Sequence, residues 1–154
     1  MAHSTEQAEQ FRAASRRYSD ASVLMHEAIA RKAGLSGTDH KHLGLIMQHG
    51  ELTAGDLARL TGLTTGAVTG LIDRLEQKKL VKRQYVENDR RKVIIVPETK
   101  NALKLLSPLF TSLSAKTAEL METFSAKELA AIHRYFTEAA KVMAEVTGEL
   151  NEDQ

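Results

Sequence analysis

The sequence contains no cysteine, only two prolines, and no long apolar run. The absence of cysteine excludes disulfides, thiolate-held metals and thiol redox sensing. The short apolar runs exclude a membrane-spanning helix, which needs roughly 18 apolar residues in succession. The opening residues, MAHSTEQAEQ, are polar and lack the apolar core of a secretory signal, so the cytoplasm is the expected location. No repeat, low-complexity tract or long flexible linker interrupts the chain. Reactive chemistry is sparse too. There is no Gly-rich phosphate loop, no nucleophile beside a base and no compact carboxylate pair, so neither an enzyme nor a cofactor is expected. What is present suits a fold: 154 residues, 42% hydrophobic and 27% charged, the composition of a folded domain rather than a disordered tail.

The net charge of +1 hides an uneven distribution. Residues 52–100 hold 10 Lys and Arg against 6 Asp and Glu, a balance of +4. The rest of the chain holds 21 − 10 = 11 basic and 20 − 6 = 14 acidic residues, a balance of −3. A basic middle between acidic flanks points to a polyanionic partner for the middle.

Apolar periodicity predicts a helix over residues 6–33, carrying Phe11, Ala14, Tyr18, Ala21, Val23, Leu24 and Ile29 and stopped by Gly34. A second helix, capped by Thr38 or Asp39, carries Leu43, Ile46 and Met47 and ends at Gly50. A third spans 54–60. Thr53 is its N-cap, Asp56 sits three residues on, and Leu57 and Leu60 are expected to face inward. Gly62 closes a short turn. The fourth helix, 65–79, bears Val68, Leu71, Ile72 and Leu75 on one face. The period then shortens. Two β-prone runs, 80–86 and 92–96, flank the polar tip ENDRR and read as a hairpin. Beyond Pro97 a long helix runs to about residue 124, with a kink predicted at Pro108. Ser125 and Glu128 form a capping box for a last helix bearing Leu129, Ile132, Phe136, Met143 and Val146.

The expected fold is therefore mainly α (α+β). It is one chain unit, 1–154, with a winged helix-turn-helix core and a small β-hairpin wing at 51–97. Residues 6–50 form an N-terminal dimerisation and effector region, and 98–150 C-terminal dimerisation helices. At 1.5 Å per residue the first helix is roughly 40 Å long, more than one small domain readily covers, so a twofold-related copy is the economical partner.

The block LTAGDLARLTGLTTGAVTGLIDRLEQKKLVKR, followed by NDRRKVIIV, resembles the MarR family of bacterial transcription regulators. The resemblance covers residues 52–99; outside it only the layout of flanking helices matches. It implies a homodimer with interlocking terminal helices. It also implies repression, or less often activation, at a short palindromic operator on double-stranded DNA, relieved by a small-molecule effector. The competing readings are a winged-helix protein-interaction adaptor and a zinc-responsive regulator using histidines.

On the fourth helix the face opposite the apolar stripe holds Gly66, Thr69, Gly70 and Asp73, and its N-terminal half is expected in the major groove. Thr53, Thr64 and Thr65 sit at helix starts, where a hydroxyl caps the helix or meets phosphate. Thr69 can address base edges or place its methyl against thymine. Gly66 and Gly70 permit close backbone approach. Related helices often carry a basic residue at the position of Gly70, so arginine–guanine readout is not expected here. Arg74 is assigned a mixed role, to phosphate or in a pair with Asp73 or Asp89. Resembling wings place an arginine in the minor groove, which nominates Arg90 or Arg91, braced by Asp89. Lys82, Arg83 and Lys92 are assigned to phosphates. Tyr18, Met25, His26, His40 and Met47 are the candidates for an effector pocket. His42 and His49 share a helix face while His40 points elsewhere, and no metal site is expected.

Overall fold

The computed structural model of the chain describes residues 4–86 and 89–152, without the side chains of residues 86, 89–92 and 152. The elements are helices α1 (Thr5–Ala33), α2 (Gly37–His49), α3 (Ala54–Thr61), α4 (Thr65–Gln77), α5 (Thr99–Glu122) and α6 (Ala126–Glu152), with strands β1 (Leu52–Thr53), β2 (Val81–Val86) and β3 (Asp89–Pro97). This is the expected order of helices around a central hairpin.

Local chemistry sets most boundaries. Ser4 begins α1 as a capping box. The Gln7 N–H donates to the Ser4 hydroxyl and the Ser4 N–H to the Gln7 side chain, both at 3.2 Å. Gly34 ends α1 with φ 68°, the left-handed conformation that glycine adopts without steric cost. The cap of α2 differs from expectation. Ser36, not Thr38 or Asp39, accepts the Asp39 N–H at 3.0 Å, because Ser36 has the extended backbone of a cap. Asp39 is thereby placed inside the helix, and its carboxylate is available for a tertiary contact.

Thr53 caps α3 as expected: its hydroxyl accepts the Asp56 N–H at 3.0 Å, and the Asp56 carboxylate accepts from Thr53. Arg59 also pairs with Asp56. Leu57 is fully buried, but Leu60 is 43% exposed, against the expectation that both face inward. The half-buried positions Ala58 and Thr61 explain the difference. They lie on the other side of Leu57 from Leu60, so the inward direction of this short helix is rotated away from Leu60.

α4 buries the four residues expected of it, Val68, Leu71, Ile72 and Leu75. It ends two residues early because Lys79 takes φ 57°, which lets the Leu80 N–H reach the Leu75 carbonyl at 2.9 Å and the Lys79 N–H the Glu76 carbonyl at 2.8 Å. This is a Schellman closure made by a lysine instead of a glycine.

The sheet is antiparallel in the order β1-β3-β2. Strand β1, which periodicity does not reveal, sets Leu52 opposite Ile95. Two residues are too few to show alternation. β2 pairs with β3 from Val81 opposite Pro97 to Tyr85 opposite Val93, then shifts register between Tyr85 and Val86. β3 begins at Asp89 instead of residue 92, because the backbone ladder continues past the point where the side chains turn polar. Val81 and Ile95 anchor the sheet in the core.

α5 continues through Pro108. Ser125 and Glu128 form the predicted capping box, the Ser125 N–H donating to the Glu128 carboxylate at 2.8 Å. The chain divides into two compact units, Met1–Leu109 and Phe110–Gln154. The core of the first gathers Leu43, Ile46, Leu57, Leu71, Ile72, Leu75 and Leu80, all at most 2% exposed. In the second, no described residue of α6 is buried, and Tyr135, Phe136, Val142, Met143, Val146 and Leu150 are exposed. No described helix is long and apolar enough to cross a membrane.

Candidate nucleic-acid interface

The outward face of α4 is built from small groups. Thr65, Gly66 and Thr69 are exposed and Gly70 is half-buried. Thr64 is the N-cap, its hydroxyl accepting the Ala67 N–H at 3.3 Å. The Thr69 hydroxyl donates to the Thr65 carbonyl at 3.0 Å. The glycines are not required by packing. A Cβ at Gly66 would meet nothing within 4 Å, and one at Gly70 would make an ordinary contact of 3.4 Å with Nη1 of Arg74. Gly66→Ala is therefore expected to stabilise the fold by up to about 1 kcal/mol through helix propensity. If this face meets DNA closely, the added methyl lowers DNA affinity at the same time. Denaturant midpoints and DNA titrations on one preparation measure both; unchanged affinity would show that the backbone at residue 66 does not approach the groove.

Arg74 has a partner that sequence spacing does not reveal. Its Nε and Nη2 donate to the Asp39 carboxylate of α2 at 2.9 and 2.7 Å. Asp39, and not the adjacent Asp73, takes these bonds because it approaches the helix flank on which Arg74 lies, while the Asp89 side chain is outside the described residues. The Asp39 side chain is 6% exposed and that of Arg74 54%. The arginine's hydrogen bonds hold the Asp39 carboxyl below its usual range despite burial, and the same bonds raise the Arg74 pKa.

Arg83, expected at phosphates, is turned instead to α4. It pairs with Asp73 and Glu76, and its backbone N–H donates to Glu76 at 3.0 Å. Burial opposes its charge, while the hydrogen bonds to Asp73 and Glu76 raise its pKa. α4 is thus tied on one flank to α2 and on the other to β2. Lys82 lies 3.4 Å from Glu98 with its side chain 54% exposed, which leaves it reachable by phosphate. Asp89, Arg90, Arg91 and Lys92 lie on β3, and their side chains are outside the described residues.

Of the effector candidates, the structure brings together His26 of α1 and His40 of α2. Nδ1 of His26 lies 3.2 Å from Nε2 of His40, with the rings tilted at 37°. Met25 and Met47 are half-buried and Tyr18 is exposed. His40 and His42 are both buried, at 7% exposure, although they point in different directions from α2. Neither belongs to ordinary surface, because α2 packs against α1, α4 and β3 together. Among the described residues, no group of three or more His, Asp or Glu side chains could hold a metal ion.

Burial lowers the pKa of His40 and of His42. The neighbouring His26 adds to the effect at His40 and Lys41 at His42. Glu27 acts oppositely at His40, and the Thr38 backbone and Asp39 at His42. Both histidines then bind protons more readily in the unfolded chain. Stability is full above the unfolded value of about 6.5 and falls as the pH drops below it, towards the folded values. A lower urea midpoint at pH 5.5 than at about pH 7.5 is expected, with a shallower dependence in His42→Gln. A flat profile would mean that neither histidine is held neutral.

A family model described as MarR family matches residues 33–92. The uncharacterized HTH-type transcriptional regulator YcgE of Bacillus subtilis is 42% identical over 123 residues, covering 80% of this chain and 79% of that protein. The HTH-type transcriptional regulator MhqR of the same organism is 30% identical over 115 residues, covering 75% and 78%. Among solved structures, a MarR family protein from Bacillus stearothermophilus superposes with a TM-score of 0.69 at 22% identity, covering 92% of this chain and 99% of that one. FabT of Streptococcus pneumoniae, solved in complex with DNA, gives 0.72 at 18% identity, covering 90% and 99%. These two share the fold. From its helix-turn-helix, its wing and these relatives, the chain belongs to the MarR family of DNA-binding transcription regulators, which are not enzymes.

Proposed function

We propose that the chain is a homodimeric repressor in the cytoplasm that binds a short palindromic operator and is released by a small-molecule effector. The observation that carries the dimer is α6. It is 27 residues long, about 40 Å at 1.5 Å per residue, and carries a series of exposed apolar side chains with no described residue buried. Monomeric proteins rarely leave so extended an apolar surface in water. A second copy covers it, together with the exposed Phe11, Val23 and Leu24 of α1. In this reading residues 6–50 serve dimerisation and effector contacts, 51–97 bind DNA and 98–150 complete the dimer.

On DNA, α4 enters the major groove through Thr65, Gly66, Thr69 and Gly70, and Thr53 and Thr64 stand at the helix starts beside the phosphates. The wing carries Arg90 or Arg91 to the minor groove. FabT, which shares this fold, was solved in complex with DNA, which supports DNA as the partner. The effector acts between α1 and α2, where His26 meets His40.

Sedimentation at micromolar concentration is expected to report a dimer, and footprinting on DNA upstream of the chain's own gene to protect a palindrome. Affinity is expected to fall steeply with salt. A monomer would remove the dimer, and salt-independent or absent DNA binding would favour a protein-interaction adaptor.

A further inference from the structure

Arg74 is the only basic residue of α4, and its guanidinium is held at a defined place. Asp39 takes Nε and Nη2 in a two-pronged bond, while Nη1 lies along the helix beside Gly70. Two features fix this geometry. The Asp39 carboxylate is nearly buried, and Asp39 sits in the first turn of α2, beside the Ser36 cap and near the positive helix end, which favours its charge. Gly70 has no side chain to occupy the space beside Nη1. A Cβ there would touch it at 3.4 Å.

We propose that Asp39 is a positioning residue for DNA binding: it orients Arg74 so that Nη1, beside Gly70, is a preset phosphate contact on the margin of the α4 face. A planar guanidinium suits the task, since two nitrogens are bound by the carboxylate while a third remains directed elsewhere. A guanidinium already fixed in place loses less conformational freedom on meeting phosphate than a mobile one. The residues involved are 35 positions apart in sequence, and they join the helix that carries His40 and His42 to the helix that faces DNA. The proposal also gives Gly70 a second purpose beyond close backbone approach. It rests on the DNA-binding reading of α4.

The test is fluorescence anisotropy of the full-length chain with mixed-sequence duplex DNA over a series of KCl concentrations, because phosphate binding is independent of sequence. Each phosphate that the protein ceases to neutralise reduces the slope of log affinity against log salt by about 0.9. Arg74→Gln and Asp39→Asn are each expected to reduce it by that amount per protomer. The double variant is expected to match Arg74→Gln alone, since Asp39 acts through Arg74. A merely structural role for Asp39 would lower the urea midpoint and leave the slope unchanged, which overturns the proposal. A steeper slope and tighter binding in Asp39→Asn would show that Asp39 restrains Arg74 instead, and overturn it equally. Should Asp39→Asn fail to fold, Arg74→Lys decides. It keeps the charge but cannot make the two-pronged bond, so reduced affinity supports the positioning and unchanged affinity ends it. Absence of DNA binding by the unaltered chain would remove the underlying reading itself.

Discussion

Replacing Arg90 and Arg91 together by alanine is expected to weaken operator binding by roughly thirtyfold to twenty-thousandfold. The range follows from about 1–3 kcal/mol for each groove-bound arginine, two wings per dimer, and a factor of ten per 1.4 kcal/mol. The wing is the natural place for the effect, because α4 cannot supply it. The exposed face of α4 presents hydroxyls, glycines, an alanine and Asp73, and its one arginine, tied to Asp39, lies at the margin of that face and not in position for a groove. Arg83, the nearest arginine of β2, is occupied by Asp73 and Glu76. On the proposed reading, insertion of an arginine into a groove therefore falls to the wing, where a narrow minor groove concentrates negative potential, while Arg74 meets only phosphate. Anisotropy titrations on the footprinted operator measure the loss, and sedimentation of the same variant confirms that the dimer persists. An affinity within about twofold of the unaltered protein, well under 1 kcal/mol, would take the wing out of the mechanism. The single variants then identify which arginine enters the groove.

Leu75→Ala is expected to destabilise the fold by about 2–5 kcal/mol, and Leu60→Ala by less than about 1. Leu75 is fully buried in the last full turn of α4, beside Leu71 and Ile72 in the core of the first unit. Truncation removes apolar packing there and leaves a cavity that the helix can only partly close. Total stabilities are about 5–15 kcal/mol, so a loss of this size accounts for much of the margin and moves the urea midpoint strongly. Leu60 is 43% exposed on α3 and has little to lose. The two leucines are equivalent by composition, and helical spacing predicts both inside, which makes the pair a direct measure of what packing adds. Equal effects would mean that Leu60 is covered in the working protein, by a second copy or by another partner.

Much of the fold is legible in the sequence because its determinants are local. The stop at Gly34, the Thr53 and Ser125 capping boxes and the stripe Val68, Leu71, Ile72 and Leu75 each involve residues within a turn or two of one another. Backbone sterics and helical periodicity operate over that distance whatever the rest of the chain does. Where a local signal is ambiguous, a local competitor decides. Ser36 takes the cap of α2 in place of Thr38 or Asp39, and Lys79 supplies a left-handed residue where no glycine marks the end of α4.

The candidate site is legible in outline and not in its connections. The small-residue face of α4 can be read by spacing alone. The ties that hold α4 cannot. Arg74 meets Asp39 across 35 residues, His26 meets His40 across 14, and Arg83 reaches back to Asp73 and Glu76 from a strand whose register has to form first. No period or dipeptide signals such pairings, since charged residues of either sign are plentiful and each has many partners available in an unfolded chain. By itself the sequence determined the helices, the wing and the face of α4 that is free of bulk, through interactions between near neighbours. Only the tertiary structure decided which carboxylate holds the one arginine of that helix, because packing α2 against α4 brings the buried Asp39 within reach of that guanidinium.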